Sequence, residues 1–144
     1  MKLASLFSGG KDSTYSIYKA KQIGHDIECL VTIFPKSSES QLLHFSTIEL
    51  TKLQAKTMKV PQIVSELNSD KIEDEMNVLK TLLEKAKKDF QIEGIVHGGI
   101  SSEFQKRCFE NICKENDLKI VIPLWKTSPK EYMNDLINSG FKFI

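Results

Sequence analysis

The hydrophobic residues of this chain fall into two patterns that alternate along its length. Short unbroken apolar runs predict buried strands, and segments in which apolar residues recur every three or four positions predict amphipathic helices. The predicted strands cover residues 3–7, 28–34, 62–67, 95–96 and 119–124. The predicted helices cover residues 13–23, 47–58 and 72–90, a segment that starts after Ser102, and residues 129–137.

This order of elements determines the predicted fold class. Strands that alternate with helices form right-handed crossovers, which give a mostly parallel sheet covered by helices on both faces. We therefore predict an α/β, Rossmann-like three-layer sandwich with about five strands, in one domain that spans residues 1–144. Residues 141–144 alternate apolar and polar side chains and predict the opening of a sixth strand, so we expect the chain to stop inside a larger fold.

The helical periodicity also predicts which side chains face the core. The stripe of the helix over residues 72–90 consists of Ile72, Met76, Leu79, Leu83, Ala86 and Phe90. The first helix is expected to bury Ile17, Ala20 and Ile23. It is expected to end at Gly24, since glycine favours the left-handed backbone of a C-cap. The helix after Ser102 is expected to bury Phe104, Cys108, Phe109 and Ile112.

Composition and charge narrow the functional classes. The 144 residues are 40% hydrophobic and carry a formal net charge of +1, which suits one core and gives no strong nucleic-acid signal. Cys29, Cys108 and Cys113 lack CxxC spacing, which argues against a disulfide framework or a zinc site. No apolar run approaches the roughly 20 residues of a membrane span, and the N-terminus is too short for a signal peptide. We therefore expect a cytoplasmic protein without a membrane partner.

The residues with the clearest chemistry lie in the loop between the first strand and the first helix, which reads Ser8-Gly9-Gly10-Lys11-Asp12-Ser13. In an open α/β sheet, ligands bind at the carboxyl ends of the strands. Two glycines allow the backbone to approach an anion closely, and the unpaired amides of a helix start suit phosphate oxygens. The lysine adds positive charge and the serines add hydroxyl donors. The loop therefore predicts a phosphate-binding site.

Asp12 is the residue of this loop that a bare phosphate would repel. Its carboxylate indicates either a magnesium ion bound together with phosphates or a helix-start carboxylate favoured by the dipole, and both interpretations stay open. The loop is not a Walker A motif, because Ser5 stands where that motif needs glycine and Asp12 where it needs serine or threonine. A plain helix N-cap is the simpler alternative, which the combination of six residues disfavours.

The loop Ser8–Ser13 resembles the PP-loop of the ATP pyrophosphatases of the adenine-nucleotide α-hydrolase type. Residues 93–102, residues 105–107 and residues 123–125 resemble the diphthine–ammonia ligase family, and its archaeal branch in particular. Residues 53–56 and 60–61 fit the same family. The resemblance covers the whole chain, and it implies the HUP-type variant of the Rossmann-like fold.

The resemblance implies an ATP-dependent amidation. A carboxylate would be adenylated with release of pyrophosphate, and ammonia would then replace AMP. The expected acceptor is diphthine, a modified histidine of translation elongation factor two. The expected cofactors are ATP and Mg²⁺.

The loop and the resemblance together assign expected roles to individual residues. Lys11 and Asp12 are expected to be catalytic, Lys11 by neutralising the departing pyrophosphate and Asp12 by holding magnesium. The expected nucleotide-binding residues are Ser8, Gly9, Gly10, Lys11, Asp12, Ser13, His97 and Gly98.

Four side chains outside the loop have a simpler alternative beside the functional interpretation. His97 is expected near the nucleotide, with packing in the rim of the core as the alternative. Gln105 and Arg107 are expected to contact the acceptor, although a solvated helix face explains them too. For Trp125, packing is favoured over stacking on a ligand.

Two further functions stay open at this point. One is a PP-loop enzyme that adenylates tRNA, against which the net charge argues, and the other is a non-catalytic ATP-binding module, against which Lys11 and Asp12 argue. The resemblance also implies a Glu-Gly-Gly-Glu motif in a later segment, and this sequence lacks it. The ammonia source and the oligomeric state, a homo-oligomer included, are left open by the sequence.

Overall fold

The structure of the chain, a computed structural model, describes residues 1–8, 11–35, 48–67, 71–99, 103–126 and 128–138. Within these residues, five strands and five helices follow one another. The strands are β1 (Lys2–Leu6), β2 (Asp26–Pro35), β3 (Gln62–Leu67), β4 (Gly94–Val96) and β5 (Lys119–Val121). The helices are α1 (Lys11–Ile23), α2 (Ile48–Met58), α3 (Ile72–Phe90), α4 (Glu103–Glu115) and α5 (Pro129–Asn138).

The strands form one sheet in the order β3-β2-β1-β4-β5, and every adjacent pair is parallel. Successive side chains of a strand point to opposite faces. Ala4 and Leu6 belong to a core cluster with residues of α3 and α4. Leu3 and Phe7 belong to clusters with residues of α1 and α2. The two pairs of helices therefore cover opposite faces of the sheet, which confirms the predicted α/β three-layer fold.

The strand order reverses between β1 and β4. The chain passes from β1 through α1 to β2 on one side, and it later returns through α3 to β4 on the other side of β1. The helices that follow β1 and β4 lie on opposite faces, and in open α/β sheets the ligand-binding crevice lies at the carboxyl ends of two such strands. Ser8, the start of α1 and residues 97–99 all lie at this edge of the sheet.

Left-handed backbone terminates several helices. After α1, Gly24 has a φ of 108°, and the N–H groups of Gly24 and His25 donate to carbonyl oxygens of the last helical turn at 3.0 Å. This is the Schellman arrangement, and it confirms the predicted C-cap. After α2, Lys59 makes the same arrangement with a φ of 59°. A non-glycine residue in this conformation costs about 1–2 kcal/mol.

The predicted element boundaries differ from the structure in a few places. Helix α1 begins at Lys11, two residues before the prediction. The strand predicted over residues 119–124 is too long, because β5 ends at Val121. Pro123 has no N–H group for the sheet, and the Trp125 N–H donates to the Ile122 carbonyl at 3.2 Å in a turn. The polar, serine-rich residues 36–46 predict a loop, and they lie outside the described residues. The predicted strand over residues 141–144 lies outside them as well.

Two side chains that were expected in the core are exposed. Ile23 is 65% exposed, because two steps of three residues from Ile17 rotate it by about 120° away from the buried stripe. Phe104 is 48% exposed. It lies in the first turn of α4, a helix of 13 residues and about 20 Å, whereas the three-residue strands beneath it span about 10 Å. The start of α4 therefore extends beyond the sheet.

Candidate functional site

The loop after β1 is closed by a contact between its two serines. The Ser8 N–H donates to Ser13 Oγ at 3.3 Å, and the two hydroxyl oxygens lie 3.1 Å apart. Ser13 is only 5% exposed, so its hydroxyl holds the loop together from inside. Gly9 and Gly10 lie outside the described residues, and of Lys11 the structure describes the backbone.

Helix α1 begins where a phosphate-binding loop requires a helix start. Asp12 lies in its first turn and is half-buried. The Ser16 hydroxyl donates to the Ser13 carbonyl at 2.7 Å and is fully buried, which fastens this first turn to the face that packs on the sheet. The amides of the first turn lie at the positive end of the helix dipole, a position that stabilises an anion.

Gly98 brings the second sequence block into contact with the first. A Cβ atom on Gly98 would lie 2.6 Å from the Asp12 carbonyl carbon, 2.7 Å from its oxygen and 2.8 Å from the Ser13 nitrogen. The backbone after β4 therefore touches the first turn of α1 directly, at a distance at which any larger residue would force the backbone to shift. Two motifs that are 85 positions apart in the sequence meet at the crevice.

His97 directly follows β4 and precedes Gly98, whose backbone makes this contact. It is 3% exposed. Its Nδ1 accepts a hydrogen bond from the Gly99 N–H at 3.0 Å, and its ring packs edge-on against Phe109 with 4.7 Å between the ring centres. Burial lowers the pKa of His97 to about 4, although the carboxylate of Glu110 acts in the opposite direction. The imidazole is therefore neutral at pH 7. Its Nε2 is buried without a hydrogen-bond partner in the described part of the chain.

The side chains expected to contact an acceptor lie on α4 and just after β5. Gln105 is half-buried and Arg107 is exposed, as on a solvated helix face. Trp125 is half-buried and is flanked by two ammonium groups, with Lys106 Nζ at 5.2 Å and Lys126 Nζ at 5.9 Å from the ring centre. These cation–π contacts support the packing interpretation of the indole.

A chain of two hydrogen bonds at the end of β1, one buried and one partly buried, was not foreseen from the sequence. The Thr32 hydroxyl donates to the Phe7 carbonyl at 2.9 Å, and the Gln62 side-chain amide donates to Thr32 Oγ1 at 2.9 Å. These two hydrogen bonds connect Phe7, the last residue before the loop, to β2 and β3. The sequence signal that would have indicated them is a threonine inside an apolar run, because a polar side chain that is buried there needs a hydrogen-bond partner. In the structure Thr32 is fully buried.

The described side chains offer little other chemistry. Burial raises the pKa of Cys29 and Cys113 to about 12, so neither thiol ionises to a nucleophile at neutral pH. Among the described residues, no group of three or more His, Cys, Asp or Glu side chains is arranged to hold a metal ion. A lone carboxylate such as Asp12 fits magnesium that is bound mainly by substrate phosphates.

In the described parts of the chain, none of the helices combines the length and the apolar character that crossing a membrane requires.

Comparison with known proteins gives one consistent family. Residues 1–120 match the family model of the diphthamide synthase N-terminal domain. The chain is 28% identical over 165 residues to the diphthine–ammonia ligase of Mus musculus, and 28% identical over 163 residues to that of Homo sapiens. It is 31% identical over 156 residues to the diphthine–ammonia ligase of Saccharomyces cerevisiae.

These alignments cover nearly all of this chain but only part of each relative. They include 100%, 99% and 94% of the chain for the mouse, human and yeast proteins, respectively. The corresponding shares of the relatives are 60%, 60% and 22%. The chain thus spans about three fifths of the length of the mouse and human relatives.

Proposed function

The chain belongs to the diphthamide synthase family, whose N-terminal domain it carries, and from that premise we propose that it is an ATP-dependent amide ligase. The proposed reaction converts diphthine on translation elongation factor two into its amide. Relatives named diphthine–ammonia ligase support the acceptor and the use of ammonia.

The observation that carries this proposal is the contact of Gly98 with the first turn of α1. It joins the phosphate-binding loop and the motif after β4 at the crevice between β1 and β4. An adenylating enzyme needs both halves of such a crevice, because one side must hold the phosphates of ATP and the other must face the acceptor. The same contact would be unnecessary in a helix that simply caps its own N-terminus.

In the proposed site, the phosphates of ATP lie at the start of α1. The amides of the first turn and the lysine charge of Lys11 stabilise the negative charge that develops on the departing pyrophosphate. Asp12 would hold Mg²⁺ together with phosphate oxygens, and the ion would neutralise phosphate charge. The serine contact between Ser8 and Ser13 keeps the loop in the required shape.

The proposed chemistry has two steps. The acceptor carboxylate is ionised at neutral pH and attacks the α-phosphorus of ATP without a general base, which forms an acyl adenylate and releases pyrophosphate. Ammonia then attacks the acyl carbon, AMP leaves with the electron pair of the broken bond, and the nitrogen loses a proton to water. Most of the acceleration would come from positioning and charge stabilisation.

The test is the release of AMP and pyrophosphate from ATP and magnesium, with ammonium and elongation factor two that bears diphthine. We expect acceptor-dependent AMP formation by the parent chain and a large decrease in Lys11→Ala and Asp12→Ala. Lys21→Ala is the matched control, because this exposed lysine lies in the last turn of the same helix.

Two results would contradict the ligase. ATP binding without any AMP, with the acceptor present, would favour a non-catalytic nucleotide-binding module. AMP formation that depends on tRNA, together with salt-sensitive tRNA binding, would favour the tRNA-modifying alternative.

A further inference from the structure

We infer that His97 donates a hydrogen bond from its Nε2–H group to the bound nucleotide, and that the turn after β4 fixes the ring in this role. The inference rests on the proposed function, since it concerns the same crevice. It goes further because it assigns one hydrogen bond to the nucleotide to the Nε2 atom of His97.

The tautomer of the ring follows from its contact with Gly99. The Gly99 N–H donates to Nδ1 at 3.0 Å, so Nδ1 must present its lone pair. A neutral imidazole carries one proton, which therefore resides on Nε2. His97 thus offers a donor at Nε2.

This donor has no acceptor among the residues that the structure describes. His97 is 3% exposed. Buried polar groups are almost always hydrogen-bonded, by the protein, by water or by a ligand. An unused donor in a ring that is fixed on two sides, by Gly99 and by the edge of Phe109, points to a partner outside the protein.

The position of the ring indicates which partner this is. His97 directly follows β4, and its neighbour Gly98 touches the backbone of Asp12 and Ser13. The ring itself packs against Phe109 of α4, and it belongs to the same turn as Gly98, which contacts the start of α1, where the phosphates are proposed to bind. The acceptors that ATP offers are phosphate oxygens, ribose oxygens and adenine ring nitrogens, all of which take an N–H donor.

The same tautomer excludes other roles of the neutral ring. A general base needs a free lone pair at the nitrogen that faces the substrate, and here that nitrogen carries the proton. A metal ligand likewise needs an unprotonated nitrogen, and Nδ1 is already engaged by Gly99. The Nε2–H group can therefore act only as a hydrogen-bond donor.

Three variants of the full chain distinguish the role of Nε2 from that of Nδ1. In His97→Gln the side-chain amide reaches the position of Nε2 and keeps a donor there. In His97→Asn the shorter side chain reaches only the position of Nδ1, where its oxygen can still accept from Gly99. His97→Phe keeps the ring shape and has neither nitrogen. Thermal unfolding of each variant shows whether it is folded under the conditions of the binding assay.

We expect ATP affinity near the parental value for His97→Gln and a roughly tenfold weaker affinity for His97→Asn and His97→Phe. Retained affinity in His97→Asn combined with loss in His97→Gln would mean that the histidine only locks the turn, which would overturn the inference. Equal ATP affinity in all three variants and the parent would overturn it too, while the proposed function would stand. Failure of the folded parent chain to bind ATP would contradict both.

A second measurement needs no substitution. NMR of the ring nitrogens of the parent chain should show Nε2 protonated and Nδ1 unprotonated, with the Nε2–H resonance shifting when ATP is added. Pyrophosphate and adenosine as separate probes distinguish a phosphate acceptor from a nucleoside acceptor, according to which of them shifts the resonance. A proton on Nδ1, or an Nε2–H resonance that none of the probes shifts, would refute the contact.

Discussion

The two edges of the sheet hold their polar groups in different environments. At the amino edge, the N-terminal ammonium of Met1 lies 3.1 Å from His25 Nδ1, and the Lys2 N–H donates to the exposed Glu93 carboxylate at 2.8 Å. At the carboxyl edge, Ser13 and His97 are 5% and 3% exposed. The groups at the first edge are exposed or half-buried, whereas these two at the second are removed from water, and their neighbours Ser8 and Asp12 are half-buried.

The amino edge also contains two shallow hollows. They are lined mainly by polar and charged side chains near the ends of α3 and α4, and Lys87 Nζ donates to the Asn116 carbonyl at 2.8 Å between these two helices. Such groups exchange one partner for water at little cost. A buried donor such as the Nε2–H of His97 cannot replace its partner by water, so it needs a specific acceptor. The comparison therefore supports our proposal that the ligand binds at the carboxyl edge.

The largest effect that tests this comparison is expected from Gly98→Ala. The added Cβ would meet the backbone of Asp12 and Ser13 at 2.6–2.8 Å and push the first turn of α1 away from β4. A displacement of about 1 Å in a catalytic site costs roughly 100-fold in rate, so we expect kcat/KM for ATP to fall by about that factor.

Gly94→Ala is the matched control for this substitution. Its Cβ would meet the Lys119 carbonyl oxygen at 2.6 Å, between β4 and β5 at the other end of the strand. We expect both variants to lose about 1–3 kcal/mol of unfolding free energy through overpacking. An equal loss of kcat/KM in the two variants, measured well below their melting temperatures, would show that Gly98 has no special relation to the site.

The next effect is a pH dependence of stability caused by His97. In the folded chain burial lowers its pKa to about 4, whereas the ordinary value is 6.5. Between these two pH values the unfolded state binds the extra proton and the folded state does not, so stability decreases as the pH falls from 6.5 to 4. A shift of this size corresponds to about 2–4 kcal/mol.

Urea denaturation at a series of pH values measures this dependence. His97→Phe should remove that part of the slope, and His25→Gln, at the other edge of the sheet, should keep it. A slope that is identical in the parent and in His97→Phe would disprove the contribution of this buried ring.

A smaller effect is expected from Thr32→Val, which is close to the threonine in shape. It removes the hydrogen bond to the Phe7 carbonyl and leaves the Gln62 amide without its buried acceptor. The expected loss is about 1–2 kcal/mol of unfolding free energy. A double-mutant cycle with Gln62→Leu checks the cause, because part of the loss should disappear when the amide is absent as well.

The smallest effect is a gain of stability at the end of α2. Lys59 has a φ of 59°, a conformation that glycine adopts without strain. Lys59→Gly should therefore raise the unfolding free energy by about 0.5–1 kcal/mol. Lys56→Gly, within the same helix, should lower it by about 1 kcal/mol. A decrease in both variants would show that the left-handed residue carries no strain.

The order and type of the elements could be predicted because they depend on local patterns. The stripe of α3 and the glycine after α1 are legible within a few turns of chain, and each was found where expected. Local patterns gave wrong predictions near the ends of helices and strands. Phe104 has the spacing of a core residue, but the short strands beneath α4 stop before reaching it. The roles proposed for the loop Ser8–Ser13 and for His97, Gly98, Gln105 and Arg107 stay predictions.

Local sequence patterns were sufficient to predict the strand–loop–helix context of the loop from Ser8 to Ser13, because tight turns, helix starts and apolar runs are properties of neighbouring residues. Tertiary structure alone decided that β1 pairs with β4, that Gly98 touches α1, and that His97 loses its water. These contacts join residues about 85–90 positions apart. Their existence depends on how the layers pack, and residues so distant in the chain meet only when the whole sheet has formed.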